Sequence, residues 1–355
     1  MKVKFVVFSG YNIRALIAFF RTLARNHIEF DIIACTNEDF IFHTSYAKNV
    51  TYTRENRELT IDEITHVLQG IKVQNADADA YYILPSSEFL NRFLLKNRKK
   101  IEELGFSIPL VEENVYELLS DKRSFGELCE KNSIKIPEEI NQIPMVAKPK
   151  KYFSTDSRAI APYLILSEEE YVQFKTKEKE EDFFFQRYIS GESIYLLCYF
   201  YKDGTVDTFS QRNLMQQTGG KSIIAAEYSD FWTTAEADKY ISMLKKLNYR
   251  GLIMIEVRKE KFYYMIEANP RIWGPSQFLV DSDANLLESM LYDIGAIEKK
   301  PNVRGTYRID AKYFWKDGIE EKFVLHCGEQ EIKEKWSELE KYDIFARSDI
   351  NREIV

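Results

Sequence analysis

The stretch from Gly251 to Gly274 limits what this chain can become more than any other. Leu252 to Arg258 and Phe262 to Ala268 are two strand-like runs joined by a charged turn at Glu260-Lys261. Side chains along a strand alternate between faces. Ile253, Ile255 and Val257 therefore form one apolar set with Glu256 opposite them. On the second run Phe262, Tyr264 and Ile266 share one face, and Tyr263, Met265, Glu267 and Asn269 share the other. An antiparallel hairpin about that turn sets Val257 against Tyr264 and Glu256 against Met265, which leaves Glu267 a diagonal neighbour of Glu256, roughly 7 to 8 Å away. Two carboxylates and an amide oxygen then converge. Like charges repel unless a cation lies between them, and an all-oxygen set favours a hard ion such as Mg2+, with Mn2+ served by the same ligands. Because Mg2+ takes one or two carboxylates and leaves phosphates to complete its shell, Glu256, Glu267 and Asn269 are the expected metal ligands.

The first 115 residues alternate strand and helix signals. Val3–Phe8, Asp31–Cys35 and Tyr81–Leu84 read as strands, and Ile13–Arg25, Ile61–Leu68 and Glu88–Leu104 as helices. That order implies a parallel sheet with right-handed crossovers and ligands at the carboxyl ends of its strands. Ser9, Gly10, Ser86, Ser87 and Glu88 stand at those ends. The first turn, Ser9-Gly10-Tyr11-Asn12-Ile13-Arg14, lacks the further glycines of a dinucleotide site, which argues against a nicotinamide cofactor.

From about residue 116 the pattern changes. Helices over Asp121–Lys131, Ser167–Lys175, Thr233–Leu247 and Ala284–Leu291 are interspersed with strands over Pro144–Pro149 and Phe183–Ile189, and with a hairpin at Lys202-Asp203-Gly204. This reads as an α+β body joined to an α/β one. The expected units are 1–115, 116–185, 186–300 and an extension, 301–355, packed on the preceding body. Within that extension 306–310 reads as a strand and 331–342 as a helix.

Composition narrows the function classes. In 355 residues, 49 Lys plus Arg face 56 Asp plus Glu, a formal net charge of −7, and no Lys/Arg block offers a nonspecific nucleic acid its phosphate contacts. No apolar run reaches the roughly 18 to 20 residues of a membrane-spanning helix, so no membrane partner is expected. The apolar start is too short for a secretion signal and lacks a small-residue cleavage site. Cys35, Cys129, Cys198 and Cys327 lie far apart, as reduced thiols of a cytoplasmic protein would.

Glu256 followed by Glu267-x-Asn269-Pro270-Arg271 resembles the metal-binding end of the ATP-grasp superfamily, and Trp273-Gly274-Pro275-Ser276 is most similar to its carboxylate–amine ligase branch. The resemblance runs from about Asp121 to Gly295, and more loosely over the N-terminal part. It implies a pre-ATP-grasp α/β domain with a parallel sheet, followed by an α+β ATP-grasp domain of two lobes. It further implies ATP and Mg2+ as cofactors, small-molecule carboxylate and amine substrates, and a chain compatible with a homodimer.

Residue by residue, the resemblance gives Glu256, Glu267 and Asn269 to the metal and Arg271 to the acyl phosphate. Arg212, upstream of Thr218-Gly219-Gly220-Lys221-Ser222, becomes a second clamp. Lys122 and Lys148 contact the nucleotide. Gln186-Arg187-Tyr188-Ile189 is the hinge, with the backbone of Arg187 and Ile189 on adenine and Glu192 on the ribose. Lys148 also stands out by itself, since an ammonium in an apolar strand is costly unless it meets an anion. One departure is plain: 150–158 has no glycine where the superfamily carries a glycine-rich lid. The implied reaction makes an acyl phosphate from a carboxylate and then an amide from an amine. A phosphotransferase on the same fold, and a nucleotide-binding protein with little or no catalysis, stay open as alternatives.

Overall fold

The structure, a computed structural model, describes residues 1–351 apart from 56, 302–306 and 321. The N-terminal runs pair as their alternation requires. Strands β1 (Val3–Phe8), β2 (Glu29–Ala34), β3 (Val50–Thr53), β4 (Ala80–Ile83) and β5 (Phe106–Ser107) form a parallel sheet in the order β3-β2-β1-β4-β5. Helix α1 (Ile13–Arg25) lays Leu16, Phe19 and Phe20 against Phe5 and Val7 on one face. On the other face α2 (Ile61–Gln74), α3 (Glu88–Lys96) and α4 (Arg98–Glu103) cover Val6, Phe8 and Ile83. The single helix expected over 88–104 is two. It stops at Asn97, whose backbone has left the helical region and whose N–H and side-chain amide both donate to Phe93 O.

Helices α5 (Glu113–Ser120) and α6 (Lys122–Lys131) lead into a three-stranded antiparallel sheet of β6 (Met145–Pro149), β7 (Tyr163–Ile165) and β8 (Phe183–Arg187), backed by α7 (Glu168–Lys177). A larger antiparallel sheet follows. Its strands are β9 (Glu192–Phe200), β10 (Val206–Gln217), β11 (Ile223–Tyr228), β12 (Gly251–Lys259) and β13 (Tyr263–Asn269). Two strands from the C-terminal part, β14 (Lys312–Phe314) and β15 (Phe323–Leu325), join it at β11 and β10.

The strand period of two sorts the large sheet's faces. Tyr195, Leu197, Phe209 and Met254 point into the core that contains α1, α9 (Gln277–Asp281) and α10 (Leu286–Asp293). Ile194, Leu196, Ile253, Ile255 and Val257 point the other way, onto α6 and α8 (Ala235–Lys246). Full burial of each such side chain is worth about 1.5 to 3 kcal/mol. Because α1 is shared between both sheets, the turn at its start is carried up to the large sheet.

The strand expected over 306–310 is not seen. Residues 307–310 have no strand pairing, Thr306 lies outside the described residues, and pairing begins only at Lys312. The expected helix over 331–342 is α11 (Glu329–Leu339) plus a short turn to Tyr342. Among the described residues no helix is long and apolar enough to cross a membrane, and the four cysteines are free thiols.

Candidate active site

Across β12 and β13, Glu256 is paired directly with Glu267 and Val257 with Met265. The expected register is off by one already beside the turn, where Lys259 meets Tyr263 and Val257 meets Met265 rather than Tyr264, and an extra residue, Ile266, then sits between Met265 and Glu267, so that Glu256 faces Glu267 and not Met265. The bulge also reverses the phase of the strand. Met265 is buried with Val257 and Ala268 in the core under α8, away from Glu267, while Ile266 and Glu267 both border the cleft. The cause lies outside the hairpin: Met265 N–H donates to Lys135 O at 2.8 Å, and burial of the thioether holds the strand in the shifted phase.

The charges around this pair come from three elements. Lys122, at the first turn of α6, donates to Glu267 Oε2 at 2.6 Å, and the Asn269 amide donates to Glu267 Oε1 at 2.9 Å. Burial alone would push the Glu267 carboxyl up, but Lys122, helped by Asn269 and Arg271, outweighs it and holds the group down at about 2. Glu256 is displaced upward, because its burial outweighs the guanidinium of Arg258, whose Nε donates to Glu256 Oε1 at 3.3 Å. Lys148 is 5% exposed. Among the described residues its one acceptor is a carbonyl, Ile266 O at 2.8 Å, and burial, with Lys122 nearby, lowers it to about 7.

Three cavities meet at Glu267. The first, between the two antiparallel sheets, has apolar walls from Val146, Leu164, Ile189, Ile266 and Val324, with Lys122, Lys148 and Glu256 at its polar end. The second lies under the 150–158 segment, between Tyr152, Asp121 and Asn269. The third opens toward the N-terminal sheet, with Arg14, Ser87, Asn269, Arg271 and Trp273 on its walls.

No family model matches the sequence, and no curated protein matches it. The architecture does have relatives among solved structures. The chain is similar to the biotin carboxylase domain of Hydrogenobacter thermophilus 2-oxoglutarate carboxylase, in complex with MgADP, ADP and bicarbonate, with a TM-score of 0.61 and 15% identity over 87% of this chain and 73% of that one. It is similar to the biotin carboxylase of Campylobacter jejuni in its β-γ-ATP complex, with a TM-score of 0.58 and 14% identity over 87% and 74% of the two chains. An ADP complex of N5-carboxyaminoimidazole ribonucleotide synthetase matches with a TM-score of 0.58 and 10% identity over 85% and 79%. This chain has the ATP-grasp fold.

Within that fold the residues singled out from the sequence divide. Lys122, Lys148, Arg187, Tyr188, Ile189, Glu256 and Glu267 border the first cavity, and Asn269 and Arg271 border the second and third. Three others lie elsewhere. Gln186 is turned away, its amide donating to Pro137 O at 3.0 Å in the three-stranded sheet. Glu192 and Arg212 stand on the opposite face of the large sheet from Glu256: Arg212 is paired with Ile194, which faces α8, whereas Glu256 is paired with Tyr195. There Arg212 binds Glu192 at 3.3 Å, Glu227 at 3.0 Å and Glu331. Alternation decides this, since an odd number of positions separates those side chains from the site face.

The hinge backbone is partly engaged, with Arg187 N–H donating to Glu138 O at 2.9 Å, and the Arg187 guanidinium donates to Glu260 at 3.1 Å. Of the strand-end residues, Ser87 and Glu88 reach the third cavity. Ser9 does not, because its hydroxyl donates to Asp39 in the core. The glycine-free segment is a folded loop, with Thr155 N–H donating to Asp182 at 3.0 Å and the Arg92 guanidinium over the Tyr152 ring at 4.9 Å.

Sequence reasoning missed Arg258, Gln216 and His326. Arg258 shares the site face with Glu256 by simple alternation and was within reach of it. His326 carries no signal: it follows β15 directly, and there Nε2 meets Gln216 Oε1 at 2.9 Å and Nδ1 meets Arg258 Nη1 at 3.3 Å. Burial, with Arg258 beside it, lowers the imidazole to about 3, so it is neutral and its Nδ1 accepts from the guanidinium.

Proposed function

We propose that this protein is an ATP-dependent carboxylate–amine ligase. The observation that carries the reading is the direct opposition of Glu256 and Glu267 where three cavities meet. Two carboxylates with Asn269 fit a hard divalent ion that leaves most of its shell to water and phosphate oxygens, and no cluster of three or more acidic, His or Cys ligands exists among the described residues. Glu256, Glu267 and Asn269 would hold Mg2+, which supplies neutralisation of phosphate charge when bound.

The chain's own groups supply the rest. Apolar side chains of the first cavity enclose a flat base, as Val146, Leu164 and Ile266 are placed to do. Lys122 and Lys148 lie at the polar end beside the acid pair, where an arriving polyphosphate gives the Lys148 ammonium the anion it lacks. Arg271, beyond Pro270, borders the two cavities on the far side of Asn269 and orients an acceptor carboxylate. In the first step a carboxylate oxygen bonds to the γ-phosphorus, the bond to the β–γ bridging oxygen breaks, and ADP leaves. In the second, an amine attacks the acyl carbon, inorganic phosphate departs and the amine gives up a proton. Catalysis is positioning and charge neutralisation, as expected for phosphoryl transfer.

The test is mass spectrometry of products after incubating the protein with Mg-ATP and a pool of small acids and amines. The expected result is ADP, phosphate and one condensed amide. A phosphorylated product without an amide assigns a phosphotransferase instead, and no nucleotide turnover with any pool removes the catalytic reading.

A further inference from the structure

Two arginines on the walls of the third cavity have no carboxylate partner among the described residues and face the same recess. Arg14 donates to Ile223 O at 3.0 Å, to the Tyr313 hydroxyl at 3.1 Å and to Ser222 Oγ at 2.6 Å, and it lies over the Trp315 ring at 3.9 Å. Arg271 donates to Ile272 O at 3.0 Å and to Asn269 Oδ1 at 3.1 Å. Every one of those partners is neutral, and among the described residues neither guanidinium has a carboxylate within ion-pair distance. Several half-buried arginines are matched, Arg21 with Asp349, Arg92 with Glu88 and Asp121, Arg347 with Asp281, while Arg54 and Arg250, which among the described residues also bind only neutral acceptors, do not border this cavity. A guanidinium cannot shed its charge, so holding one in a recess on neutral acceptors alone is costly until an anion arrives.

The cavity has room for one, at about 460 Å³. Its acidic groups do not supply it, since Glu88 accepts from Arg92 and from the Tyr116 hydroxyl, and Glu267 from Lys122. Trp273, also on the wall, is buried, and among the described residues neither its indole N–H nor Arg271 Nε has a partner. The two cations are fixed relative to each other. Gly274, three residues after Arg271, supports the Arg14 guanidinium so closely that a Cβ there would stand 2.8 Å from Arg14 Nη2.

We propose that the third cavity binds an acid with two anionic groups, one carboxylate at Arg271 beside Glu267 and Asn269, and the second anion at Arg14. Planar guanidinium forks at both ends suit oxyanions and discriminate against an acid whose far end is apolar. The inference rests on the ligase reading for the fate of the first carboxylate, and on the cavity alone for recognition of the second anion.

Calorimetry on the full chain with Mg-ADP tests it, using succinate, glutarate and adipate against butyrate, valerate and hexanoate, and 3-phosphonopropionate as a separate arm. At least one dianion is expected to bind about 10-fold or more tighter than the monoacid of its length. Arg14→Gln should erase that preference. Gly274→Ala, which displaces the guanidinium without removing it, should weaken the preference in a chain whose melting transition is retained. A preference for the phosphonate over every dicarboxylate makes the second anion a phosphate-type group; the reverse makes it a carboxylate. Equal binding of dianions and monoacids, or a preference that survives Arg14→Gln, overturns the proposal. ADP formation in the same mixtures separates the two readings: dianion binding without acid-dependent ADP refutes the ligase and keeps the two-anion site, whereas ADP formation indifferent to the second anion keeps the ligase and refutes the site.

Discussion

Two charged clusters lie back to back on the large sheet. On the outer face Arg212 is surrounded by Glu192, Glu227 and Glu331, and Lys335 donates to Glu227 and Glu331 at 2.7 and 2.8 Å. On the cleft face Glu256 and Glu267 oppose each other, and among the described residues Lys148 has only a carbonyl to bind. In residue types the two are alike. They differ in charge pairing: the outer cluster matches its cations to carboxylates, linking β10, β11 and α11, whereas the inner one places like charges together and leaves a buried ammonium with no carboxylate in ion-pair distance among the described residues. A cluster whose charges are paired holds a fold together. One left partly unpaired at the junction of cavities is arranged for a ligand.

That contrast can be broken most severely at Glu267. Glu267→Gln should lower ATP turnover by at least about 10³-fold, since it removes one of two metal charges while keeping the side-chain shape. Steady-state phosphate release on a protein with unchanged circular dichroism checks this. Normal turnover would sink the metal assignment.

Arg271→Ala comes next. Acid-dependent phosphate release should fall by roughly 10²-fold with Mg-ATP affinity within about threefold, and Arg271→Lys should recover little because a point charge cannot replace a fork. Parallel loss of nucleotide binding would move Arg271 to the nucleotide site or the fold.

Lys148→Met should weaken nucleotide binding by about 10 to 150-fold even without Mg2+. The same residue carries a proton signature. With its folded value near 7 against 10.5 unfolded, Lys148 leaves the unfolded chain binding more protons between those limits, so its burial favours stability at higher pH. Phosphates should restore the charge, and nucleotide binding at pH 8 should take up a proton. Calorimetry in two buffers of different ionisation enthalpy measures that uptake, which should vanish in Lys148→Met.

Arg212→Leu should do the opposite of Glu267→Gln. Stripping the cation from three carboxylates should cost about 1 to 3 kcal/mol, seen as a lower melting temperature, with turnover per folded molecule within about twofold. A large loss of turnover in a stable Arg212→Leu protein would erase the distinction between the faces.

The smallest effect concerns acid stability. Glu267 is held at about 2 against a usual 4.5, so its contribution is complete above pH 4.5 and is lost as the pH falls through the range down to 2. Denaturant titrations should show a shallower acid limb in Glu267→Gln.

What the sequence determined by itself was local and periodic. The strand–helix alternation of the first 115 residues, the apolar face of β12, and the order Lys122, Lys148, Glu256, Glu267, Asn269, Arg271 are all legible, because pattern and spacing along one chain set which residue types fall on which element; the apolar face of β13 was not, since Met265 and not Ile266 enters the core. Tertiary structure decided what depends on distant partners. The register at the turn, together with the bulge held by Lys135 and the core under α8, turned a diagonal acid pair into a direct one. The parity of β9 and β10 put Glu192 and Arg212 on the far face, a matter that motif order cannot register. Arg14 and His326 reached the site from opposite ends of the chain, through α1 packed between two sheets and β15 paired to β10. Alternation and propensity act over a few residues, whereas burial of apolar surface joins segments separated by hundreds, and no local pattern encodes which of them will meet.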